Sequence, residues 1–390
     1  MTTYVVLSAL REGRVTPDTP LLYTARAQAE PPSKMGFPVN TIITVDNALK
    51  ILMVKSANDL AVTLAEGVGG SVDAFVAEMN RTAQGLGMTQ SRFKNPNGWH
   101  DPEQVTSARD MAILGRALYR DFPQSAGLYD IGAVQLGNRL IKGHNALISR
   151  FPGADGMKTG FTCPSGFNLV ASARRGKRHL IAVVLGYSSA AERTDRAAEL
   201  LDAGFGKWTF WRTGQDVATL PVSNVAAPNL RAEVCEKKKG VAPEAVGEVE
   251  GDDGSSPVAR NETLSGLITS GYASEPKQLL FPPAPVVPVR VFLGPNPNGP
   301  PELIALASKL SPLGAIANES EEPPPLKLQK KPEPKAAKKP DKKPQKAAQA
   351  EPAAKPAAAA VPAPAKPASA TKPPAAKAPA AKPAAKPKQP

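Results

Sequence analysis

The last 70 residues, Glu321 to Pro390, set the strongest limit on what this chain can fold into: 18 Pro, 22 Ala and 16 Lys fill 56 of the positions. Almost nothing there is large enough to bury, so no core can offset the entropy of ordering the segment, and disorder is expected. With only five acidic residues among them, these 70 positions carry +11 of the chain's +13. The preceding 320 residues are therefore near neutral, with 32 basic and 30 acidic side chains, which excludes a basic folded domain. They are long enough for one sizeable domain of roughly 200 residues plus an appendage.

Two cysteines, Cys163 and Cys235, are too few for a disulfide scaffold and too scattered for a zinc site, and each is read as a small apolar residue. Three histidines argue against a histidine-built metal centre, so no metal or organic cofactor is expected. The longest apolar run, around Leu180 to Leu185, is far short of the roughly 20 residues of a membrane span. No basic-then-apolar signal segment opens the sequence, so the chain as written is expected to stay where it is made.

Apolar residues from Tyr4 onward, with no start signal before them, read as a helix entered in mid-course. Val45, Ala48, Leu49, Leu52 and Met53 recur at helical spacing up to Lys55, and Leu60, Ala61 and Leu64 resume it until the glycines at 67, 69 and 70. A short break at Ser56-Ala57-Asn58 separates the two helices. Ser71 is placed as the cap of a third, closed by Gly85 and Gly87, and Ser107 with Asp110 as a capping box for a fourth. After about residue 150 the period becomes that of strands. Residues 167–172 and 179–187 read as a hairpin joined by Arg174-Arg175-Gly176-Lys177, followed by a helix over 191–203 that Gly204 ends. Helices packed on an antiparallel sheet, an α+β domain, are the expected architecture. Residues 208–320 alternate short apolar pieces, such as Val286 to Leu293, with Pro, Gly and acidic clusters, and read as a linker with a small β-appendage.

Two short motifs stand in the globular part, Ser56-Ala57-Asn58 and Lys158-Thr159-Gly160, 102 residues apart. Ser56 falls at a helix break, where backbone and hydroxyl can face a cleft. Gly160 opens a hairpin strand and permits close approach of another backbone. Around them lie Gln28-Ala-Glu-Pro-Pro-Ser-Lys-Met-Gly36, Thr44-Val-Asp-Asn-Ala-Leu-Lys50, Lys55-Ser-Ala-Asn-Asp59, Phe93-Lys-Asn-Pro-Asn-Gly98, Pro152-Gly-Ala-Asp-Gly-Met-Lys-Thr-Gly-Phe-Thr162 and Ser165-Gly-Phe-Asn-Leu-Val-Ala-Ser172. Together, in order over residues 1 to 205, they resemble the D-alanyl-D-alanine carboxypeptidases, the low-molecular-mass penicillin-binding proteins; the triplets belong to the signature of the active-site serine enzymes.

The resemblance implies the penicillin-binding-protein/serine β-lactamase-like transpeptidase fold, incomplete at its N-terminus, for residues 1–205. An uncertain appendage over 206–320 and the disordered basic tail over 321–390 would follow. It implies removal of the terminal D-Ala from peptidoglycan stem peptides through an acyl-enzyme, β-lactams as inhibitors, and a periplasmic or envelope location. By similarity, Lys158 supplies positive potential and Thr159 a hydroxyl for the substrate carboxylate. Ser56 relays a proton, Asn58 holds the substrate amide, and the Phe161 N–H is one oxyanion donor beside Gly160. The family's nucleophile is the Ser of a Ser-x-x-Lys motif, and none precedes Ser56; Ser274-Glu-Pro-Lys277 has the letters but lies downstream. The expectation is that the chain starts at an internal Met just past that motif, which would also remove a signal peptide.

A class A β-lactamase would need a general-base Glu in a Glu-x-x-Leu-Asn setting, and Glu66, Glu78 and Glu103 lack it. A non-catalytic wall-binding protein is an alternative that the missing motif keeps open for the chain as written. His144 and Cys163 are read as bystanders. The tail has neither Arg nor aromatics. It suits a cationic tether for anionic wall polymers better than a nucleic-acid binder, since it offers no stacking or base-reading groups.

Overall fold

The computed structural model describes residues 1–206, 216–222, 225–236 and 278–310; the tail read as disordered lies outside them. The chain opens with α1 (Thr2–Arg11), β1 (Pro20–Leu22), α2 (Ala25–Ala29) and β2 (Ile42–Thr44), which pairs antiparallel with β1. Helix α3 (Val45–Lys55) begins where Thr44 accepts a hydrogen bond from the Asn47 N–H. It ends at Ser56, whose left-handed backbone (φ 59°) turns the chain into α4 (Asn58–Gly69). The Ser56-Ala57-Asn58 break is thus a sharp elbow in a conformation that non-glycine residues seldom adopt.

Helix α5 (Val72–Gly85) starts at Ser71, whose hydroxyl accepts from the Ala74 N–H. Helix α6 (Ala108–Asp121) starts at Ser107 in the same way, accepting from Asp110 N–H at 3.2 Å. The expected capping box is only half made. The fully buried Asp110 carboxylate does not turn back to Ser107; it accepts from the Gln90 N–H and Ser91 Oγ and pairs with Arg109. Securing the 90–91 turn in a dry interior outweighs a second bond at a solvated helix end.

Strands β3 (Ala133–Leu136) and β4 (Arg139–Lys142) form a hairpin, and α7 (Leu147–Arg150) leads to the sheet of β5 (Ala154–Thr162), β6 (Gly166–Arg175) and β7 (Arg178–Tyr187), antiparallel throughout in the order 5-6-7. Gly176, at φ 58°, makes the expected turn between β6 and β7. Helix α8 (Ala190–Gly206) closes this region.

Strand periodicity divides the interior in two. Leu169, Ala171 and Ala173 of β6 face Ala197, Ala198 and Leu201 of α8. On the opposite face, Val170 meets Gly115 of α6, and the Ser172 hydroxyl lies 2.7 Å from that of Tyr119. The helices hold a larger core of their own, centred on Ile51, Leu60, Leu64 and Phe75.

Residues 278–310, in the stretch read as linker and appendage, form a strap across both cores. Leu279 and Leu280 pack on the sheet core, and the Phe281 and Ala284 N–H groups donate to Arg150 and Ser149 carbonyls. Strand β8 (Val289–Val291) then joins β3 in parallel, burying Val291 in the helical core. Beyond it, Gly294 N–H donates to Ile42 O, Asn296 to Asp18, and α9 (Pro301–Leu310) reaches β1. Ahead of α9 the strap has little helical or strand period of its own, and its Phe281, Ala284, Phe292 and Gly294 N–H groups all bond to other segments.

Gly153 leads into β5 at φ +83°, where an added Cβ would lie 2.2 Å from the Arg174 carbonyl oxygen. That oxygen is backbone, and Arg174 N–H is itself bonded to Gly153 O at 2.7 Å. Gly153→Ala is therefore expected to destabilise the fold by about 2 to 3 kcal/mol in urea denaturation.

Candidate active site

The elbow at Ser56 and strand β5 meet. Lys158 lies opposite Val170, whose side chain faces α6, so Lys158 leaves the sheet on the helical side. Its Nζ donates to Ser56 Oγ at 2.8 Å and to Thr159 O at 2.7 Å. Asn58 is held from beneath: its Nδ2 donates to Pro31 O at 2.9 Å and its backbone N–H to Ser33 O at 2.8 Å. Of the residues read from the sequence, the structure brings Ser56, Lys158 and Thr159 into direct contact. Asn58 stands two residues beyond Ser56, while Gly160 and Phe161 continue β5. Phe161 sits on Phe167 across the strand pair, ring centroids 4.2 Å apart.

Among the described residues, strand β5 pairs only with β6, so the other edge of the Lys158–Thr159–Gly160 segment is open to an extended ligand. The site is strongly cationic. Burial, then the charge of Arg193, lowers the Lys158 pKa to about 8. Arg193, buried on α8, is lowered to about 10 by burial. Among the described residues neither cation is paired with a carboxylate, and Arg193 Nε has no hydrogen-bond partner. An anion brought here would therefore meet two poorly solvated, unneutralised charges.

His144 is no bystander by position. Burial, then Lys158, Lys55 and Arg193, push its pKa down to about 4, so the imidazole is neutral at pH 7. The start of α1 also lies near the site, close enough for the Lys158 charge to act on the nitrogen of residue 1.

Asp59, which neither triplet includes, supports the site from behind. Fully buried at the start of α4, its Oδ2 accepts from Tyr23 OH and from the Met35 and Gly36 N–H groups, fixing the 31–36 segment that holds Asn58. The signal was its place directly after Ser56-Ala57-Asn58, where a carboxylate favours a helix N-terminus. Arg193 had no comparable signal, being one of two arginines on an amphipathic helix.

Cys163 and Cys235 are not separate apolar residues but a disulfide, with Cα atoms 5.8 Å apart across 72 positions. Leu230 N–H also donates to Pro164 O, so the π-helical turn Ala232–Glu236 is fastened to the β5–β6 turn just past Thr162. Glu66, Glu78 and Glu103 are engaged by Thr24, Arg14 and Lys94. Ser91-Arg92-Phe93-Lys94 also has the Ser-x-x-Lys letters, but Ser91 bonds Asp110 and Lys94 pairs with Glu103. Ser274 and Lys277 lie outside the described residues.

A family model described as D-alanyl-D-alanine carboxypeptidase matches residues 1–189. The carboxypeptidase DacA of Haemophilus influenzae is 36% identical over 222 residues, 55% of this chain and 56% of that protein. DacC of Escherichia coli is 34% identical over 212 residues, 53% of each. Among solved structures, penicillin binding protein 6B from Escherichia coli is similar at 34% identity and a TM-score of 0.50, with 53% of this chain and 67% of that one covered. DacD from Francisella tularensis is similar at 30% identity and a TM-score of 0.51, covering 53% and 62%. The chain spans just over half the length of the curated relatives it matches. With its helices packed on an antiparallel sheet and both triplets meeting at one cleft, the chain belongs to the D-alanyl-D-alanine carboxypeptidase family.

Proposed function

We propose that this chain carries the substrate-binding and proton-transfer groups of a serine-type carboxypeptidase that removes the terminal D-Ala from peptidoglycan stem peptides. The observation that carries the reading is the 2.8 Å contact of Lys158 Nζ with Ser56 Oγ inside an unneutralised cationic cleft. The leaving residue bears a free carboxylate, which Lys158, Arg193 and the Thr159 hydroxyl are suited to hold. Ser56, bonded to Lys158, passes a proton to the departing amine as the scissile C–N bond breaks. Asn58, its Nδ2 already bonded to Pro31, offers Oδ1 to a substrate N–H, and the Phe161 N–H polarises the carbonyl. A serine oxygen forms the ester to the penultimate D-Ala, and water then hydrolyses it.

That nucleophile is the serine of the family's Ser-x-x-Lys segment, which the sequence does not present ahead of Ser56. Labelled penicillin tests the assignment. Residues 1–390 alone are expected to form no covalent adduct after denaturing electrophoresis, whereas the same residues preceded by a family Ser-x-x-Lys segment should form one. An adduct on residues 1–390, mapped to any serine, would refute this division of labour.

The disulfide supports an oxidising compartment, in line with an envelope location. The tail reading rests on composition: with +11 over 70 residues, it should hold anionic wall polymers by counterion release. Sedimentation with purified cell-wall sacculi at low salt should be lost when residues 321–390 are deleted or when salt is raised to about 1 M, where charges beyond about 3 Å are screened.

A further inference from the structure

The loop from Lys94 to Gln104 presents a partly exposed indole outside both hydrophobic cores. Trp99 is 39% exposed, with the His100 ring at 5.0 Å. Yet the backbone carrying it is densely bonded. Trp99 O accepts from Asn95 Nδ2 at 2.8 Å and Gln104 Nε2 at 2.9 Å, and Gly98 N–H donates to Asn95 Oδ1 at 2.8 Å. Gln104 Oε1 in turn accepts from the Lys94 and Asn95 N–H groups. The loop thus fixes the place of a large aromatic side chain while leaving much of it in water.

Two bonds tie this loop to the cleft. Thr2 Oγ1 donates to Pro96 O at the start of α1, where the nitrogen of residue 1 lies within the field of Lys158. Asn97 Nδ2 donates to Glu30 at 2.7 Å, and Glu30 precedes Pro31, the residue whose carbonyl holds Asn58. The cations and His144 gather around Lys158, Arg193 and Lys55. A peptide whose terminal carboxylate is drawn to those cations therefore has its remaining length available to the Asn58 side, where the loop stands.

We propose that Trp99 is a substrate-recognition residue, docking the aliphatic part of the stem-peptide residue that precedes D-Ala-D-Ala. The inference rests on the carboxypeptidase reading and adds the part of the substrate that Trp99 reads. A pre-positioned aromatic anchor binds with little ordering cost and commonly dominates a small contact.

The test titrates residues 1–390, which are expected to bind without turnover, with diacetyl-Lys-D-Ala-D-Ala and with the shorter acetyl-D-Ala-D-Ala. Trp99→Ala is expected to weaken the tripeptide about tenfold and to leave the dipeptide within about twofold, with Trp99→Phe keeping most tripeptide affinity. Equal losses for both peptides would mean that Trp99 only maintains the loop, and no loss for either would mean that it touches no substrate; each overturns the proposal. If the unsubstituted protein bound neither peptide, the carboxypeptidase reading itself would fall, and this one with it. Binding of both peptides by the parent with an unchanged Trp99→Ala variant would sink the Trp99 proposal alone.

Discussion

In a preparation that includes the Ser-x-x-Lys segment, replacing Lys158 by alanine is expected to slow penicillin acylation and D-Ala release by at least about a hundredfold, the range found when a single pre-organised electrostatic donor is removed. Both ligands carry a carboxylate, and both lose the same cation and the same hydrogen bond to Ser56. The pH dependence separates this from a general loss of structure. Because the Lys158 pKa is about 8, carboxylate binding should weaken as pH rises past 8, earlier than an ordinary lysine at 10.5 would allow. Stability should move the other way. Between pH 8 and 10.5 the unfolded chain binds more protons at this lysine than the folded one, so the folding free energy becomes more favourable across that window. In Lys158→Ala that rise disappears, and melting at neutral pH should be unchanged or improved, since a half-buried cation without a carboxylate partner is gone. A loss of activity below about threefold, with a normal melting temperature, would remove Lys158 from the mechanism.

Reduction of the Cys163–Cys235 bond, or its replacement by a Ser pair, is expected to produce a large loss of stability. Closing a loop of 72 residues limits the unfolded ensemble by about 4 kcal/mol in the chain-entropy account, an upper bound because residues 225–236 can detach before the domain opens. Equilibrium denaturation with and without reductant measures it. A partial loss, concentrated in proteolysis or hydrogen exchange near residues 225–236 and the 162–166 turn, is the expected form. An unchanged denaturation midpoint would show that the bond contributes nothing to the folded state.

The parts legible in the sequence were those whose causes are local. The elbow at Ser56 could be read because two helical periods stop and restart around it, and the β6–β7 hairpin because Gly176 supplies the positive φ its turn requires. Ser71 and Ser107 announced their helices. What could not be read was long-range. The Cys163–Cys235 pairing brings together positions 72 apart through the placement of a segment with no period. The Asp110 carboxylate was drawn from its cap by residues 90 and 91, about 20 positions away. His144 and Arg193 enter the cleft only once α8 and the 143–145 turn are packed. Resemblance, rather than spacing, singled out Ser56, Asn58 and Lys158.

The strap over residues 278–310 means that the stretch shared with relatives and the stretch that must fold together need not coincide. The family match ends at residue 189, yet backbone bonds from Phe281, Ala284 and Gly294 reach α7 and β2, and Val291 fills the helical core. A polypeptide ended after α8 would keep every recognisable motif and expose the surfaces this strap covers. The cleft is built between two cores, and a cross-brace touching both of them limits how far they can part. Such a brace would let the Ser56–Lys158 distance be set by a segment that contributes no side chain to the chemistry.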